Sequence, residues 1–284
     1  MSHALHAVYT PHLLSLHREP GGPALVTQHA MPDTRPFLHP LRAPDLAGEL
    51  TEDAPGHHPW QHGLYVGLHH VNGLDYWSEQ WAKHGRGYFH PRPLVAPRLE
   101  GRAAAWEVVT DWRDEKGGEV LVETQGWRLE DRGETYALDM NWTLRAIPDV
   151  AFGKHPYGGL FLRMPYRKER GGEALDSEGR LNAAAEQQRS KWVAVSLPIE
   201  GRDARGQERG DWCGVALLDH PANAEHPAPW RVDGQLGIAP SRCIAGEWKL
   251  PAGREAAARY RVLVFAGPAE PARIAREWDA FARS

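Results

Sequence analysis

The side chains best suited to chemistry lie in one stretch where five histidines fall within fourteen residues. They are His57, His58, His62, His69 and His70. The spacing of His58 and His62 is that of metal ligands on a helix, but Pro59 and Gly63 disfavour a helix here. A loop fixed by Pro and Gly before a strand can direct two imidazoles into one cavity. We therefore expect His58 and His62 to be acid/base residues of a cleft.

The two later histidines lie on a predicted strand over residues 63–71. Since side chains alternate between the faces of a strand, His69 and His70 are expected to point to opposite faces, so at most one joins His62. Glu52 and Asp53, upstream, can supply a carboxylate. No complete ligand set has a recognisable spacing, so a divalent metal stays possible and its ligands stay unknown.

Tryptophans accompany this stretch, and the chain has 12 of them. Most are expected to pack in the core of a sheet protein. Trp60 and Trp77 lie close to the histidines in sequence, and an indole face suits the C–H face of a sugar ring. We expect these two to bind substrate by stacking.

Three further groups of residues are candidates for walls of the same cleft. In the segment 154–163, His155 is a candidate acid/base, Tyr157 a donor and Arg163 an anchor for carbonyl or carboxylate oxygens. The alternative for Arg163 is an ordinary buried ion pair. The remaining candidates come from two Pro- and His-rich segments and are Arg35, His39, His220 and Asn223.

Composition and missing motifs exclude several functions. The formal net charge of -4 gives no broad attraction to nucleic acid or to anionic lipid. No apolar run is long enough for a transmembrane helix, and the first ten residues do not read as a secretory signal. The P-loop, the Gly-rich dinucleotide turn and the serine-hydrolase elbow are absent, so no nucleotide cofactor is expected. Cys213 and Cys243 are expected to be free in a reducing cytoplasm.

The elements that position these residues are predicted to be strands. Apolar side chains alternate with polar ones along 105–113, 119–130 and 136–145, and Gly-containing turns separate the three segments. This pattern is typical of an antiparallel meander. Further strands are predicted at 24–28, 63–71, 191–197, 213–219 and 259–266. A short C-terminal helix is predicted to carry Ile274, Trp278 and Phe281 on one face. A second helix is predicted at 182–189 from a weaker pattern. The segment 165–190 is the most polar and is expected to be flexible.

These elements predict an all-β fold: one large antiparallel β-sandwich, or supersandwich, with a short C-terminal helix. No linker or internal repeat interrupts the sequence, so residues 1–284 are expected to form a single domain. The oligomeric state is left open.

The order of several motifs resembles that of the bacterial family labelled methane oxygenase PmoA, or PmoA-like. The motifs are Arg35-Pro-Phe-x-His-Pro, a segment from Glu52 to Gly63 containing His-Pro-Trp-x-His-Gly, Gly158-Gly-Leu-x-x-Arg163, and Asp219-His-Pro-x-Asn223. The resemblance spans nearly the whole chain and implies carbohydrate metabolism and a fold like that of galactose mutarotase. It also implies that Arg35, His39, His58, His62, His155, Arg163, His220 and Asn223 line a cleft. It does not imply methane oxidation or copper, because the membrane subunit of that name is a bundle of transmembrane helices.

Three functions remain open at this point. The leading one is a carbohydrate-active enzyme of epimerase, lyase or hydrolase type acting on a sugar or oxidised sugar, with a small polar ligand as its partner. The second is a non-catalytic sugar-binding protein that needs only the aromatic platforms. The third is a metal-dependent oxygenase or hydrolase that uses His58, His62 and a further ligand.

Overall fold

The computed structural model describes residues 4–204, 206 and 208–284, and within them two antiparallel sheets dominate. The strands, in chain order, are β1 His6–Thr10, β2 Leu13–His17, β3 Ala24–His29, β4 Phe37–Leu41, β5 Leu64–Val71, β6 Leu74–Tyr76, β7 Tyr88–Pro91, β8 Arg98–Glu100, β9 Ala103–Arg113, β10 Glu119–Asp131, β11 Thr135–Ala146, β12 Val150–Phe152, β13 Gly159–Leu162, β14 Glu173–Asp176, β15 Trp192–Pro198, β16 Trp212–Asp219, β17 Trp230–Val232, β18 Ile238–Pro240, β19 Trp248–Leu250 and β20 Glu255–Ala266. The described residues also contain two α-helices, α1 Arg242–Ala245 and α2 Pro271–Phe281, and two 3-10 turns, Glu79–Trp81 and Asn182–Ala185.

The first sheet has eleven strands and the second has nine. The first runs in the order β1-β2-β3-β4-β5-β13-β18-β17, with β6, β12 and β19 attached near β5. The second runs β14-β15-β16-β20-β11-β10-β9-β7, with β8 beside β9. The all-β sandwich expected from the sequence is therefore confirmed.

The predicted meander forms the middle of the second sheet. Strands β9, β10 and β11 pair in sequence, so that Trp127 lies opposite Trp106 on one side and Met140 on the other. The alternating apolar residues of β9 and β11 are buried in the main core between the sheets. The periodicity thus identified both the strands and the face that each one buries.

Indole nitrogens in this core are satisfied by a few buried polar side chains. Glu123 accepts hydrogen bonds from Trp112 Nε1 at 3.0 Å and from Trp142 Nε1 at 2.6 Å. Gln125 accepts one from Trp127 Nε1 at 3.2 Å. A buried donor that lacks a partner is costly, so this pairing lets the core hold large aromatic rings.

The first sheet buries side chains on both of its faces. On β5, Leu64, Val66 and Leu68 enter the main core, whereas Tyr65 belongs to a separate apolar cluster. Strict alternation along a strand explains this division. The face away from the second sheet is therefore a second packing surface, called here the outer face.

Outside the sheets the sequence was less informative. The helix expected at 182–189 is a single 3-10 turn, Asn182–Ala185, because the segment has no apolar face to bury. The polar segment 165–190, expected to be flexible, contains β14, which pairs with β15. Cys213 and Cys243 are both buried and free, as expected.

No helix in the described part of the chain combines the length and the apolar character needed to cross a membrane.

The C-terminal helix α2 confirms the predicted i, i+4, i+7 pattern. Ile274 and Phe281 are buried against Trp192, Leu263 and other side chains on the face of the second sheet that points away from the core. Burial of these two side chains anchors the helix to the sheet.

Replacement of Ile274 by alanine should lower the free energy of unfolding by about 2–4 kcal/mol, because it empties a fully buried site. Urea denaturation measures this. In the same helix, Arg276 is exposed, and Arg276→Ala should change the free energy of unfolding by no more than about 0.5 kcal/mol. Equal effects of the two changes would show that the helix is not docked as described.

Candidate functional site

An apolar row crosses the outer face of the first sheet. Phe37 on β4 lies opposite Tyr65 on β5, and Tyr65 lies opposite Phe161 on β13. Trp77, which follows β6, packs on Tyr65 and Phe161 with ring centroids 5.4 and 5.2 Å apart. Loops cover these rings, so the outer face becomes the floor of a site rather than a solvent-exposed surface.

A fully buried guanidinium stands beside this row. Arg35 is 0% exposed, and its carbon Cζ lies 4.4 Å from the centre of the Tyr65 ring. It donates from Nε to Glu79 Oε1 at 2.9 Å and from Nη2 to the carbonyl oxygens of Trp60 and Trp77. Arg35 therefore joins the two loops that carry Trp60 and Trp77 to the sheet.

Glycine is required where Arg35 crosses β5. A Cβ atom at Gly67 would lie 2.5 Å from Arg35 Nη1 and 3.0 Å from the Trp77 ring. The absence of a side chain thus gives the guanidinium its place on the outer face.

The Arg35–Glu79 pair continues into His62 and Asp53. His62 donates from Nε2 to Glu79 Oε2 at 3.1 Å and from Nδ1 to Asp53 Oδ1 at 2.6 Å. Burial lowers the pKa of His62, but the two carboxylates outweigh it and raise the pKa above its ordinary value. Burial likewise raises the pKa of Glu79, but Arg35 and His62 bring it down to about 2. His62 is therefore a cation with both nitrogens engaged, and it has no lone pair for a substrate.

A pocket of about 100 Å³ opens where the loops meet the outer face. Its lining residues are His58, Trp60, Gln61, Trp77, Tyr157, Phe161, Arg231 and Asp233. Two buried polar atoms among them, His58 Nδ1 and Gln61 Oε1, have no hydrogen-bond partner within the described residues. An unpaired polar atom at a cavity wall is available to a ligand or to water.

His58 is the histidine of the pocket that can exchange a proton. Its ring meets the Trp60 ring edge to face at 5.3 Å. Burial, and then the neighbouring His57 and Arg163, lower the pKa of His58, while Asp233 acts in the opposite direction. The imidazole is therefore neutral at physiological pH and keeps a free lone pair, as a general base requires.

Asp233 and Arg231 provide opposite charges on the same side of the pocket. They alternate on and just after β17, so both face outward, while Trp230 beside them is buried in the core. Asp233 Oδ1 accepts hydrogen bonds from the backbone N–H groups of Gln235 and Gly237, each at 2.8 Å. The turn thus fixes the position of this carboxylate.

Arg163 is buried and lies outside the pocket lining. It is 1% exposed, its Nε lies 3.3 Å from Glu52 Oε2, and its Nη2 lies 2.7 Å from His57 Nε2. This is the buried ion pair that the sequence left open as an alternative. Like Arg35 Nη1, Arg163 Nη1 has no hydrogen-bond partner in the described part of the chain.

The structure places His155 beside the pocket, next to two other histidines. Its ring stacks on His69 at 4.2 Å and meets His70 at 5.1 Å. Burial and then the charge of His69 lower the pKa of His155 to about 4. Tyr157 links this cluster to the pocket, because its ring contacts His155 at 4.1 Å and Trp77 at 4.8 Å.

The expectation that His69 and His70 point to opposite faces is wrong. Their rings lie 4.6 Å apart, and His70 has a φ of 55°. The pairing of β5 with β6 is irregular between Leu68 and Val71, and this left-handed residue ends the alternation. Neither histidine contacts His62; both lie with His155.

Three other residues that were expected to line the cleft make hydrogen bonds outside the pocket. His39 Nδ1 is hydrogen-bonded to Thr51 Oγ1 at 2.9 Å, on the outer face but outside the pocket lining. His220 Nε2 accepts from Arg259 at 3.1 Å, and Asn223 donates to Asp219 at 2.7 Å. The last two residues hold the loop after β16 and are not brought together with the other candidates.

Gln61, Arg231, Asp233 and Glu79 were not identified from the sequence. A signal existed for two of them, because Arg231 and Asp233 alternate with the apolar Trp230 and Val232. Gln61 and Glu79 have no such signal. Their roles arise from loops that meet only in the folded chain.

Replacement of His62 by glutamine should destabilise the protein more at about pH 6 than at about pH 9. A histidine whose folded pKa is raised contributes stability that is complete below its unfolded pKa of about 6.5 and is lost as the pH rises through the folded value. Urea denaturation of both proteins at the two pH values measures the difference. The exposed His84, changed to glutamine, is the control and should show no such dependence. An equal or larger penalty at the higher pH would refute a cationic His62.

Solved structures with some likeness to this chain include an alpha-galactosidase from Lactobacillus brevis, with a TM-score of 0.42 and 9% identity over 93% of this chain and 39% of that chain. A putative aldose 1-epimerase from Klebsiella pneumoniae subsp. pneumoniae MGH 78578 has a TM-score of 0.43 and 10% identity, over 95% of this chain and 83% of that chain. A galactose mutarotase related enzyme from Lactobacillus acidophilus has a TM-score of 0.39 and 9% identity, over 94% of this chain and 99% of that chain. The chain spans about two fifths of the length of the galactosidase. TM-scores this low support no inference about activity.

No curated protein matches the sequence. The comparisons do not support the label PmoA-like expected from the motifs. A sequence model of a family of unknown function, DUF6807, matches residues 20–279. That match covers most of the chain, so the protein belongs to the DUF6807 family.

Proposed function

We propose that the pocket on the outer face binds a sugar or an oxidised sugar derivative and that the protein is an isomerase, lyase or hydrolase acting on it by proton transfer. The observation that carries this proposal is the composition of the pocket. Aromatic rings form its floor and walls, and unpaired polar atoms and two opposite charges lie among them. A sugar presents apolar C–H faces and a rim of hydroxyl groups, so it needs both kinds of contact.

The aromatic residues have distinct parts in this proposal. Trp60 and Tyr157 are only partly buried and line the pocket, so their faces can stack on a ring. Trp77 is buried and held by Tyr65 and Phe161, so it supports the floor. The stacking role expected for Trp60 thus agrees with its exposure, while Trp77 acts from beneath.

His58 is the acid/base residue in this proposal, in place of His62. A base must have a free lone pair within reach of the substrate. His58 lines the pocket and has an unpaired Nδ1, whereas both nitrogens of His62 are held by carboxylates. His62 then positions the loop that carries His58.

Oxygen atoms of the substrate are bound by Arg231, Gln61 and Asp233. Arg231 replaces Arg35 and Arg163 in this role, since those two guanidiniums do not line the pocket. A carboxylate and a guanidinium on the same wall suit a ligand with both hydroxyl and carbonyl or carboxylate oxygens. The two free cysteines suit a reducing compartment, and we propose a cytoplasmic location for this single-domain protein.

The test begins with a thermal-shift screen of aldohexoses, hexuronic acids and aldonolactones, followed by NMR of any ligand that stabilises the protein. At least one of these classes should raise Tm, and Trp60→Ala should abolish the shift. His58→Gln should retain the shift but lower conversion by about 10²-fold or more. Conversion by the wild type should fall as the pH drops below about 6.5, since a base with a lowered pKa is protonated only there.

The matched control is His84→Gln, an exposed histidine outside the pocket, which should keep wild-type binding and turnover. Stabilisation without conversion would identify a sugar-binding protein instead of an enzyme. Full conversion by His58→Gln would place the catalytic group elsewhere. A screen in which none of the three classes raises Tm would refute the sugar proposal.

A further inference from the structure

We propose that His69, His70 and His155 bind one divalent transition-metal ion at the rim of the pocket. Each of the three offers one ring nitrogen, and these three atoms lie within 4.8 Å of one another. This site differs from the one expected from the sequence, which used His58 and His62. It goes beyond the proposed function and does not depend on it.

Backbone hydrogen bonds hold the segments that carry the three histidines together. The irregular end of β5 and the turn after it place His69 and His70 on one side, because His70 and Asn72 both have left-handed φ values, 55° and 50°. The segment before His155 is tied to this turn: Gly153 N–H donates to the His70 carbonyl at 3.0 Å, and Ala151 N–H donates to Asn72 Oδ1 at 2.8 Å. A non-glycine residue rarely adopts a left-handed conformation unless its surroundings enforce it.

The hydrogen bonds of His69 place its proton on Nε2 and leave Nδ1 as the nitrogen for a metal, which would take over the lone pair that accepts the backbone N–H of His70. Its Nε2 lies 3.2 Å from Asp75 Oδ2, and its Nδ1 accepts the backbone N–H of His70 at 3.1 Å. Asp75 is itself fixed, because its Oδ1 accepts the backbone N–H groups of Trp77 and Ser78 at 2.7 and 2.9 Å. A carboxylate behind a histidine is the usual support of a metal-binding imidazole, since it sets the tautomer and orients the ring.

The other two histidines each have a nitrogen without a hydrogen-bond partner within the described residues. His155 Nδ1 lies 3.3 Å from the carbonyl oxygen of Tyr157, which leaves Nε2 as the ligand atom. The His70 ring is exposed, and neither of its nitrogens has a hydrogen-bond partner within the described residues. Ligand atoms of a tetrahedral Zn²⁺ site are about 3.3 Å apart, given Zn–N distances of about 2.0–2.1 Å. For the three nitrogens to point at one ion, the exposed His70 ring must rotate and the His69 and His155 rings must tilt out of their parallel stack.

The ligand set determines which metals fit. Three neutral imidazoles favour Zn²⁺, Ni²⁺, Cu²⁺ or Co²⁺ over Mg²⁺ or Ca²⁺, which prefer oxygen. Three protein ligands on an exposed rim also leave a position open for water or for a substrate oxygen. Tyr157 contacts His155 on one side and lines the pocket on the other, so that position is next to the pocket.

Equilibrium dialysis of the full chain, freed of any polyhistidine tag and stripped with a chelator, tests the proposal with Zn²⁺ alone. We expect one ion per chain. His70→Ala and His155→Ala should each weaken binding by about tenfold or more, as loss of a ligand requires. Co²⁺ should give the visible absorption of a histidine-bound ion in the wild type and not in these variants. Binding should weaken as the pH falls, because protons compete for the imidazoles.

His84→Ala is the matched control: an exposed histidine outside the cluster, whose loss should leave binding unchanged. His70 is exposed, so His70→Ala keeps the test valid if His155→Ala fails to fold. Absence of stoichiometric binding at micromolar Zn²⁺, or binding that survives His70→Ala, would overturn the proposal. Dialysis requires no sugar, so its outcome is independent of the sugar screen.

Discussion

The buried ion pair of Arg35 and Glu79 is the constraint on which the site depends. A guanidinium with no exposed surface must have an anion and several acceptors, and removing one partner of such a pair typically costs about 3–5 kcal/mol. Here the acceptors are a carboxylate and the backbone oxygens of two loops. Those loops carry Trp60 and Trp77, so the same contacts that satisfy the charge also place the walls of the pocket.

The layout of the sheets could be predicted from local pattern. Apolar alternation on β9 and β11 marks side chains that enter the core, and the same rule divides β5 between the main core and the outer face. The helix α2 could be predicted for the same reason, since Ile274 and Phe281 share one face. Periodicity records which side of an element is buried, and that information is contained in neighbouring residues.

The partners of the charged and titratable groups could not be predicted in this way. Of the two carboxylates that hold His62, Asp53 was a candidate because it lies close in sequence, whereas Glu79 belongs to a different loop and nothing in the local sequence connects it with His62. The grouping of His69 with His70 depends on one left-handed residue that breaks the alternation. His220 and Asn223 stand in a motif as suggestive as any other, yet their polar atoms stabilise a loop. Residue type indicates what a side chain can do, whereas its partners decide what it does.

The histidines around this site show that identical side chains take different roles when their partners differ. His62 lies between two carboxylates and is cationic, so it serves to join loops. His58 lies near positive groups and aromatic rings and stays neutral, so it keeps a lone pair at the pocket wall. His69, His70 and His155 lie against one another, and Asp75 is the one carboxylate among their polar contacts within the described residues. Packing three imidazoles this closely brings three ring nitrogens within 4.8 Å of one another, a spacing that suits a bound cation. The adjoining Tyr157 places this cluster at the edge of the same pocket that His58 faces.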